Sequence, residues 1–382
     1  MPERHYDAIV LGLGAMGGAA LHHLAKRGLR VLGFEQFRAG HARGSSHGQT
    51  RLIRKAYFEH PDYVPLLHRA YDLWHELEDA TGQNLFEDGL GLVAFGPPDS
   101  EIIRLTLECS RKHNLRVHEV SPADLRKRYP LLREPEGYRA VWDDEGGLLY
   151  VERCVLAHLD AARSHGAALK DRQRVLEWNA SPSQVSVRTA RATYTADRLV
   201  ICAGAWSGQV LKTLGIPLEI RRKVLFWYKE KEAGSYGMGK FPPFFYDLPY
   251  GRIYGFPALD GLGVKIADHM GGQVLDEPTP PRRLFPGDEE TVQRLRAKYF
   301  PGLEARRSHY AVCMYTMTPD ENFVVAVHPH HPNVSIAAGF SGHGFKFAPV
   351  IGEILADLAV DGRTRRPIEF LGVERLLSPA HA

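Results

Sequence analysis

Cysteine is scarce in this chain, with four in 382 residues. Cys109, Cys154, Cys202 and Cys313 form no CxxC pair and keep no regular spacing. That argues against a zinc site and against the disulfide framework of a small secreted domain, so a reducing cytoplasm is the expected location. Long apolar runs are also missing. The N-terminal stretch "AIVLGLGAMGGAA" falls short of the ~18 residues that a membrane-spanning helix needs, and no membrane partner is expected. Its glycines are spaced for a turn, and no small-residue cleavage site ends it as in a signal peptide. Nor does one sign of charge dominate. The 48 Lys and Arg and 45 Asp and Glu leave a formal net charge of +3, spread along the chain, and without a basic stripe nucleic acid is a poor choice of partner. What is present is a globular composition, 44% hydrophobic and 24% charged, in a chain long enough for two domains.

The apolar run from Asp7 to Leu11 leads at once into "GLGAMG" and then into the helical-looking "GAALHHLAKRG". Gly12, Gly14 and Gly17 fit GxGxxG: the first permits a tight turn, the second lets a pyrophosphate approach the backbone, the third allows close helix packing. The helix N-terminus adds free amide donors and a partial positive charge. After Gly28, "LRVLGFE" reads as a second strand ending in Glu35, at the spacing where a carboxylate accepts hydrogen bonds from an adenosine ribose. A dinucleotide with an unphosphorylated ribose is expected, and the motif leaves NAD and FAD both open.

Further along, Tyr63, Leu66, Leu67, Ala70, Leu73, Trp74 and Leu77 form a helical stripe stopped by Gly82. Short strands and charged helices follow from Phe86. The helix "VERCVLAHLDAARSHG" and the run ending "RLVICAGAW" bring the chain back, strand-like segments fill Ile216 to His269, and "VSIAAGFSGHGFKFAPVIGEILADLAV" repeats strand, glycine turn and helix. This interleaving predicts an α/β protein of two discontinuous domains: 1–83, 144–218 and 308–382 for the nucleotide, 84–143 and 219–307 for the substrate. The run "HPHHP" at 328–332 has two prolines and no acidic or cysteine ligand beside it; it reads as a turn, and no metal is expected.

Four stretches carry a resemblance: "RGSSHGQTRLIRKAY" at 43–57, "GVKIADH" at 263–269, "CMYTMTPDENF" at 313–323 and "AAGFSGHGFKF" at 337–347. Together, and in this order, they resemble the monomeric sarcosine oxidase family, which also includes N-methyltryptophan oxidase and pipecolate oxidase. The resemblance implies a glutathione-reductase-like FAD-binding domain with a second, mainly antiparallel-sheet substrate domain. It implies a monomer that oxidatively demethylates sarcosine with dioxygen, yielding glycine, formaldehyde and hydrogen peroxide. It also implies FAD bonded covalently through Cys313. On pattern alone that cysteine would be a small buried hydrophobe, a reading kept for the other three.

The same resemblance implies roles for single residues. Arg54 and Lys346 would hold the substrate carboxylate, the guanidinium with two parallel hydrogen bonds and the lysine as a point charge. Lys265 stands between Val264 and Ile266, where a charge is costly without a purpose; it matches the lysine that promotes dioxygen reduction. Ser45, His47, Thr50 and Arg51 would run along the flavin, with Arg51 raising its reduction potential. Gly342, Gly344 and Lys346 would complete the cofactor site. Tyr254 and His269 would orient the substrate or tune its protonation, and Phe245 and Tyr315 would wall the pocket.

Two departures bear on the substrate. Phe245 stands where sarcosine oxidases are expected to carry methionine, and Ser46 where a second histidine is often found. A re-shaped wall makes a bulkier secondary amino acid, N-methyl-L-tryptophan or L-pipecolate, the alternative substrate. The rival readings are an NAD-dependent dehydrogenase, a nonenzymatic nucleotide-binding module, and a flavin dehydrogenase feeding an electron carrier, against which Lys265 argues.

Overall fold

The computed structural model describes residues 5–377. Its first sheet is assembled from the apolar runs of the sequence. Ala168–Lys170, Val31–Phe34, His5–Leu11, Thr193–Ile201 and His331–Ala338 lie side by side in this order, all parallel. The hairpin of Val175–Ala180 and Val185–Thr189 adds antiparallel to Thr193–Ile201. Val324–His328 pairs antiparallel with His331–Ala338. A parallel sheet must be covered on both faces. Helices Ala15–Lys26, Val151–Ser164 and Ala348–Asp361 pack together over one of them, so closely that a Cβ on Gly352 would stand 2.5 Å from the backbone of Ala19.

The glycine turn has the steric logic expected of it. Gly12 has φ +89°, and a Cβ there would meet the Cys202 carbonyl oxygen at 2.4 Å. A Cβ on Gly17 would stand 1.8 Å from the carbonyl oxygen of Gly12. Glycine is therefore required both to make the turn and to seat the helix upon it.

The second sheet runs Gln273–Leu275, Glu219–Tyr228, Gly263–Asp268, Gly251–Leu259, Phe244–Leu248, Leu92–Gly96, Arg139–Asp143 and Val117–Glu119. Its pairings are antiparallel except that between Phe244–Leu248 and Leu92–Gly96. Helix Glu290–Tyr299 closes an aromatic core on it, including Trp142, Phe226, Tyr228, Phe244, Tyr246 and Phe300. A small sheet of Thr50–Ile53, Gly147–Tyr150 and Phe86–Glu87 completes the set.

One strand bridges the two parts of the sequence-based division. Strand His309–Met317, placed by sequence with the nucleotide-binding segments, pairs along its length with Glu219–Tyr228 in the second sheet. Its other side is covered by the 339–344 turn that follows the first sheet: Ser341 N donates to Thr316 O at 2.9 Å, and a Cβ on Gly342 would meet the Tyr315 ring at 2.4 Å. Buried from both sides, the strand carries no alternation that would mark its sheet. Among the described residues no helix is long and apolar enough to cross a membrane, and no group of three or more His, Cys, Asp or Glu side chains could hold a metal ion.

Candidate active site

A cavity of about 590 Å³ opens beside the glycine turn. Its wall runs from Trp178 and Asn179 past Gly12, Gly14 and Glu35 to Ser45, Arg51, Tyr315, Gly342 and Gly344. Glu35 is fixed by backbone amides, accepting from Leu13 N at 3.1 Å and Phe37 N at 2.9 Å. Ser46, the departure noted above, accepts from Ala15 N at 3.2 Å, in the first turn of the helix. Two lining residues, Gln173 and Thr316, each bury a side-chain oxygen, Oε1 and Oγ1, without a hydrogen-bond partner. Orphaned polar atoms in a glycine-walled cleft at a helix N-terminus fit a dinucleotide.

The 45–50 loop lies next to this cavity and is tied on several sides. Gly48 and Gln49 are left-handed, with φ +92° and +71°. The Glu152 carboxylate accepts from Gly48 N at 2.6 Å and Gln49 N at 3.1 Å, and Trp227 Nε1 donates to Gln49 Oε1 at 2.7 Å. Lys265, fully buried, donates to Gly48 O at 2.7 Å, Thr50 O at 2.6 Å and Thr50 Oγ1 at 3.3 Å. Three acceptors match the three hydrogens of an ammonium. Burial and then Arg51 push its pKa well down, while Glu152 and Cys313 work in the other direction. Arg51 donates to Thr50 O at 2.8 Å and Ser45 O at 2.9 Å, and its Nη2 lies 3.5 Å from Cys313 Sγ. Cys313 is buried, with the cavity residues Ser45, Arg51 and Met314 around its thiol.

A smaller cavity of about 60 Å³ adjoins the first, and Arg51, Tyr315, Gly342 and Phe345 line both. Its other walls include Arg54, Phe58, Glu59, Phe245, Tyr254, His269, His343 and Lys346. Arg54 Nη2 contacts both carboxylate oxygens of Glu59, at 2.7 and 2.8 Å, while Nη1 donates to Ala56 O. The guanidinium also stands 4.3 Å from the Phe58 ring centroid. Burial favours a protonated Glu59, yet Arg54, with His343 and Lys346, overrides it and holds the carboxyl at about 2. Lys346 is brought down to about 7 by burial and by Arg54. His269, 3.4 Å from the Tyr315 hydroxyl, is brought to about 3 by burial and by Lys223 and His343, so its ring is neutral near pH 7.

Of the residues singled out from sequence, Gly12, Gly14, Glu35, Ser45, Arg51, Tyr315, Gly342 and Gly344 line the large cavity, and Arg54, Phe245, Tyr254, His269 and Lys346 the small one. Gly17, His47, Thr50, Lys265 and Cys313 line neither; they stand behind the walls. Burial and Arg51 bring His47 to about 3. Nothing in the sequence singled out Tyr57, Phe58, Glu59 or His343. They follow Arg54 in "RKAYFEH" or precede Lys346 in "SGHGFK" with no periodicity that marks them, and proximity to a matched basic residue was the one available clue.

A dinucleotide cleft in a parallel sheet, closed by a mainly antiparallel sheet and sharing a wall with a cationic aromatic pocket, defines an oxidoreductase of the amino-acid-oxidase type. The profile of the FAD dependent oxidoreductase family matches residues 7–358. The chain is similar to monomeric sarcosine oxidase of Bacillus sp. strain B-0618, 39% identical over 376 residues, covering 97% of this chain and 96% of that one. It is similar to human peroxisomal sarcosine oxidase at 38% identity, covering 93% and 92%. It is similar to N-methyl-L-tryptophan oxidase of Salmonella enteritidis PT4 at 35% identity, covering 94% and 95%. Among solved structures, NikD, an unusual amino acid oxidase essential for nikkomycin biosynthesis, superposes in its open form with TM-score 0.86 at 24% identity, covering 97% of each chain. Glycine oxidase from Geobacillus kaustophilus does so with TM-score 0.81 at 21% identity, covering 97% and 98%; these two likenesses concern the fold. The protein belongs to the sarcosine oxidase family of FAD-dependent oxidoreductases.

Proposed function

We propose that this protein is an oxidase of small secondary amino acids that converts sarcosine, dioxygen and water to glycine, formaldehyde and hydrogen peroxide, the water hydrolysing the imine that oxidation leaves. The observation that carries the reading is the wall shared by the two cavities, which sets buried Arg54 and Lys346 beside the end of the dinucleotide cleft marked by Arg51 and Tyr315. When bound, FAD supplies the two-electron acceptor for the carbon–hydrogen bond next to the amine nitrogen and passes those electrons to dioxygen.

The chain does the rest. Gly12, Gly14, Glu35, Ser45, Arg51, Gly342 and Gly344 hold the cofactor, and Cys313 is the residue through which it is bonded. Arg54 exchanges the Glu59 carboxylate for that of the substrate, another carboxylate for the same guanidinium, and Lys346 adds a second positive charge. Phe58, Phe245, Tyr254 and Tyr315 exclude water and limit the amine's size. The cations around the pocket disfavour a third positive charge, which lowers the pKa of the amine and favours its reactive neutral form. Neutral His269 accepts a hydrogen bond from it. Lys265, held by the 48–50 backbone, faces the negative charge that develops on dioxygen.

Residues 1–83, 144–218 and 308–382 would serve the cofactor and 84–143 and 219–307 the substrate, with strand His309–Met317 pairing into the second sheet while Met314, Tyr315 and Thr316 line the dinucleotide cavity. The four cysteines, none in a disulfide, support a cytoplasmic location, and the name of the bacterial relatives supports a monomer. An absorbance spectrum before and after acid precipitation, with anaerobic addition of sarcosine and of N-methyl-L-tryptophan, tests the reading. Yellow colour retained in the pellet and bleaching by sarcosine are expected. Colour released to the supernatant would overturn the bond to Cys313, and bleaching by the bulky amine alone would overturn the substrate.

A further inference from the structure

Lys346 is 5% exposed, and the hydrogen bonds around its ammonium have directions that can be worked out from one end. His343 Nε2 lies 3.0 Å from the carbonyl oxygen of Glu321. A carbonyl has no hydrogen to give, so Nε2 carries the proton and Nδ1 of the neutral ring is an acceptor. Tyr57 Oη lies 2.6 Å from that Nδ1, nearer than its 3.2 Å to His343 O. The phenol hydrogen therefore points to the ring. What Tyr57 presents to Lys346 Nζ, 3.4 Å away, is a lone pair. His343 O takes a second ammonium hydrogen at 2.8 Å, and one of the three remains.

The carbonyl that starts this sequence is itself fixed. Glu321 is left-handed, with φ +59°. Thr318 Oγ1 donates to Asn322 O at 2.7 Å across the turn, and Arg375 reaches in to Asp320 at 2.7 Å and to the carbonyls of Asn322 and Phe323 at 2.9 Å each. This is the second half of "CMYTMTPDENF", for which cofactor attachment supplies no purpose.

We propose that Tyr57 and His343 are positioning residues which, through a one-way chain of hydrogen bonds starting at the Glu321 carbonyl, aim the Lys346 ammonium at the substrate carboxylate. The role rests on Lys346 being a ligand of that carboxylate. With the phenol hydrogen committed to His343, Tyr57 accepts from the charged lysine and so supports its protonated form. The other groups facing Lys346 are Arg54 and Glu59 from the segment after Thr50–Ile53, and His269 from beyond Gly263–Asp268; Trp74 of helix Tyr63–Thr81 binds its backbone carbonyl at 3.0 Å. Burial and Arg54 oppose the Lys346 charge and Glu59 supports it, giving the value of about 7. Binding of a carboxylate should weaken as pH rises through that value, because the ammonium is lost. Without the phenol oxygen the same loss should come at lower pH.

The test is acetate binding to the holoenzyme, read from the flavin absorbance between pH 6 and 9, in wild type, Tyr57→Phe, Lys346→Met and the double variant. Tyr57→Phe should weaken acetate by about tenfold near pH 8, the order of one hydrogen bond to a charged group, and shift the pH midpoint down. In the Lys346→Met background it should add nothing. An unchanged midpoint, or equal effects with and without Lys346, would overturn the proposal. Unaltered binding in Lys346→Met alone would instead overturn the carboxylate site on which it rests. His343→Gln, which keeps an acceptor for Tyr57, and His343→Leu, which does not, carry the same comparison if Tyr57→Phe fails to retain flavin: the first should bind acetate like wild type and the second weakly, and equal affinities would overturn the chain.

Discussion

The two cavities share four wall residues yet are specified by different means, the larger by backbone and the smaller by side chains. At the larger, Gly12 stands where a Cβ would strike main chain, and so does Gly17 in the helix seated behind it. Around the smaller, Arg54, Glu59, Lys346 and His343 are buried together and each holds another's charge or tautomer in place. Main-chain clashes have no gentle remedy, so the first site should fail completely. A network of side chains loses partners one at a time, so the second should fail by degrees.

The largest expected effect is at Gly12. Gly12→Ala places a Cβ against the Cys202 carbonyl oxygen in a left-handed turn and should destabilise the protein by at least ~2–3 kcal/mol, with no flavin retained. Thermal melting and the flavin-to-protein ratio measure this, and a normal holoenzyme would break the contrast. Next, Lys265→Met should slow reoxidation of the reduced enzyme about 10²–10³-fold, the usual loss for one preorganised electrostatic partner. Reduction by substrate should change little. Stopped-flow traces that show both steps slowed alike would assign Lys265 to structure.

Protons offer a milder probe. His22 is held at about 4, chiefly by burial and Lys26, and His23 and His158 lie well below their ordinary value, again by burial. The unfolded chain takes up protons from about pH 6.5 downwards that the folded chain refuses. Stability present above pH 6.5 should therefore fall as the pH drops towards 4, by up to ~1.4 kcal/mol per pH unit for each such histidine. Denaturant midpoints at pH 7 and pH 5 report it. The smallest effect belongs to Phe245, whose ring centroid lies 6.1 Å from that of Phe58. Phe245→Met should raise kcat/KM for bulkier N-methyl amino acids by about tenfold, the scale of a methylene or two in a pocket, and a fall would show that the ring contacts such substrates.

The same contrast explains what could be read from the sequence. Gly12, Gly17 and Glu35 were legible because their constraints are local: a turn, a helix seat, the end of the next strand. Arg54, Lys346 and Lys265 were legible through family resemblance and not through pattern. Tyr57 was not legible, since it acquires its role from a ring 286 positions away, and Glu59 and His343, though close in sequence to Arg54 and Lys346, sit in no periodicity that marks them. The pairing of strand His309–Met317 with Glu219–Tyr228 was not legible for a related reason, because it leaves no mark in the strand's own composition.

That strand has a mechanical consequence. It ends in the second sheet at Met317, and by Val324 the chain is already a strand of the first. The short passage between is cinched by Thr318, Asn322 and Arg375, and it runs directly under the site. Enzymes that swing two domains apart need slack where the chain crosses between them, and here there is little. Admission of substrate and release of product are then expected without a swing of one sheet away from the other.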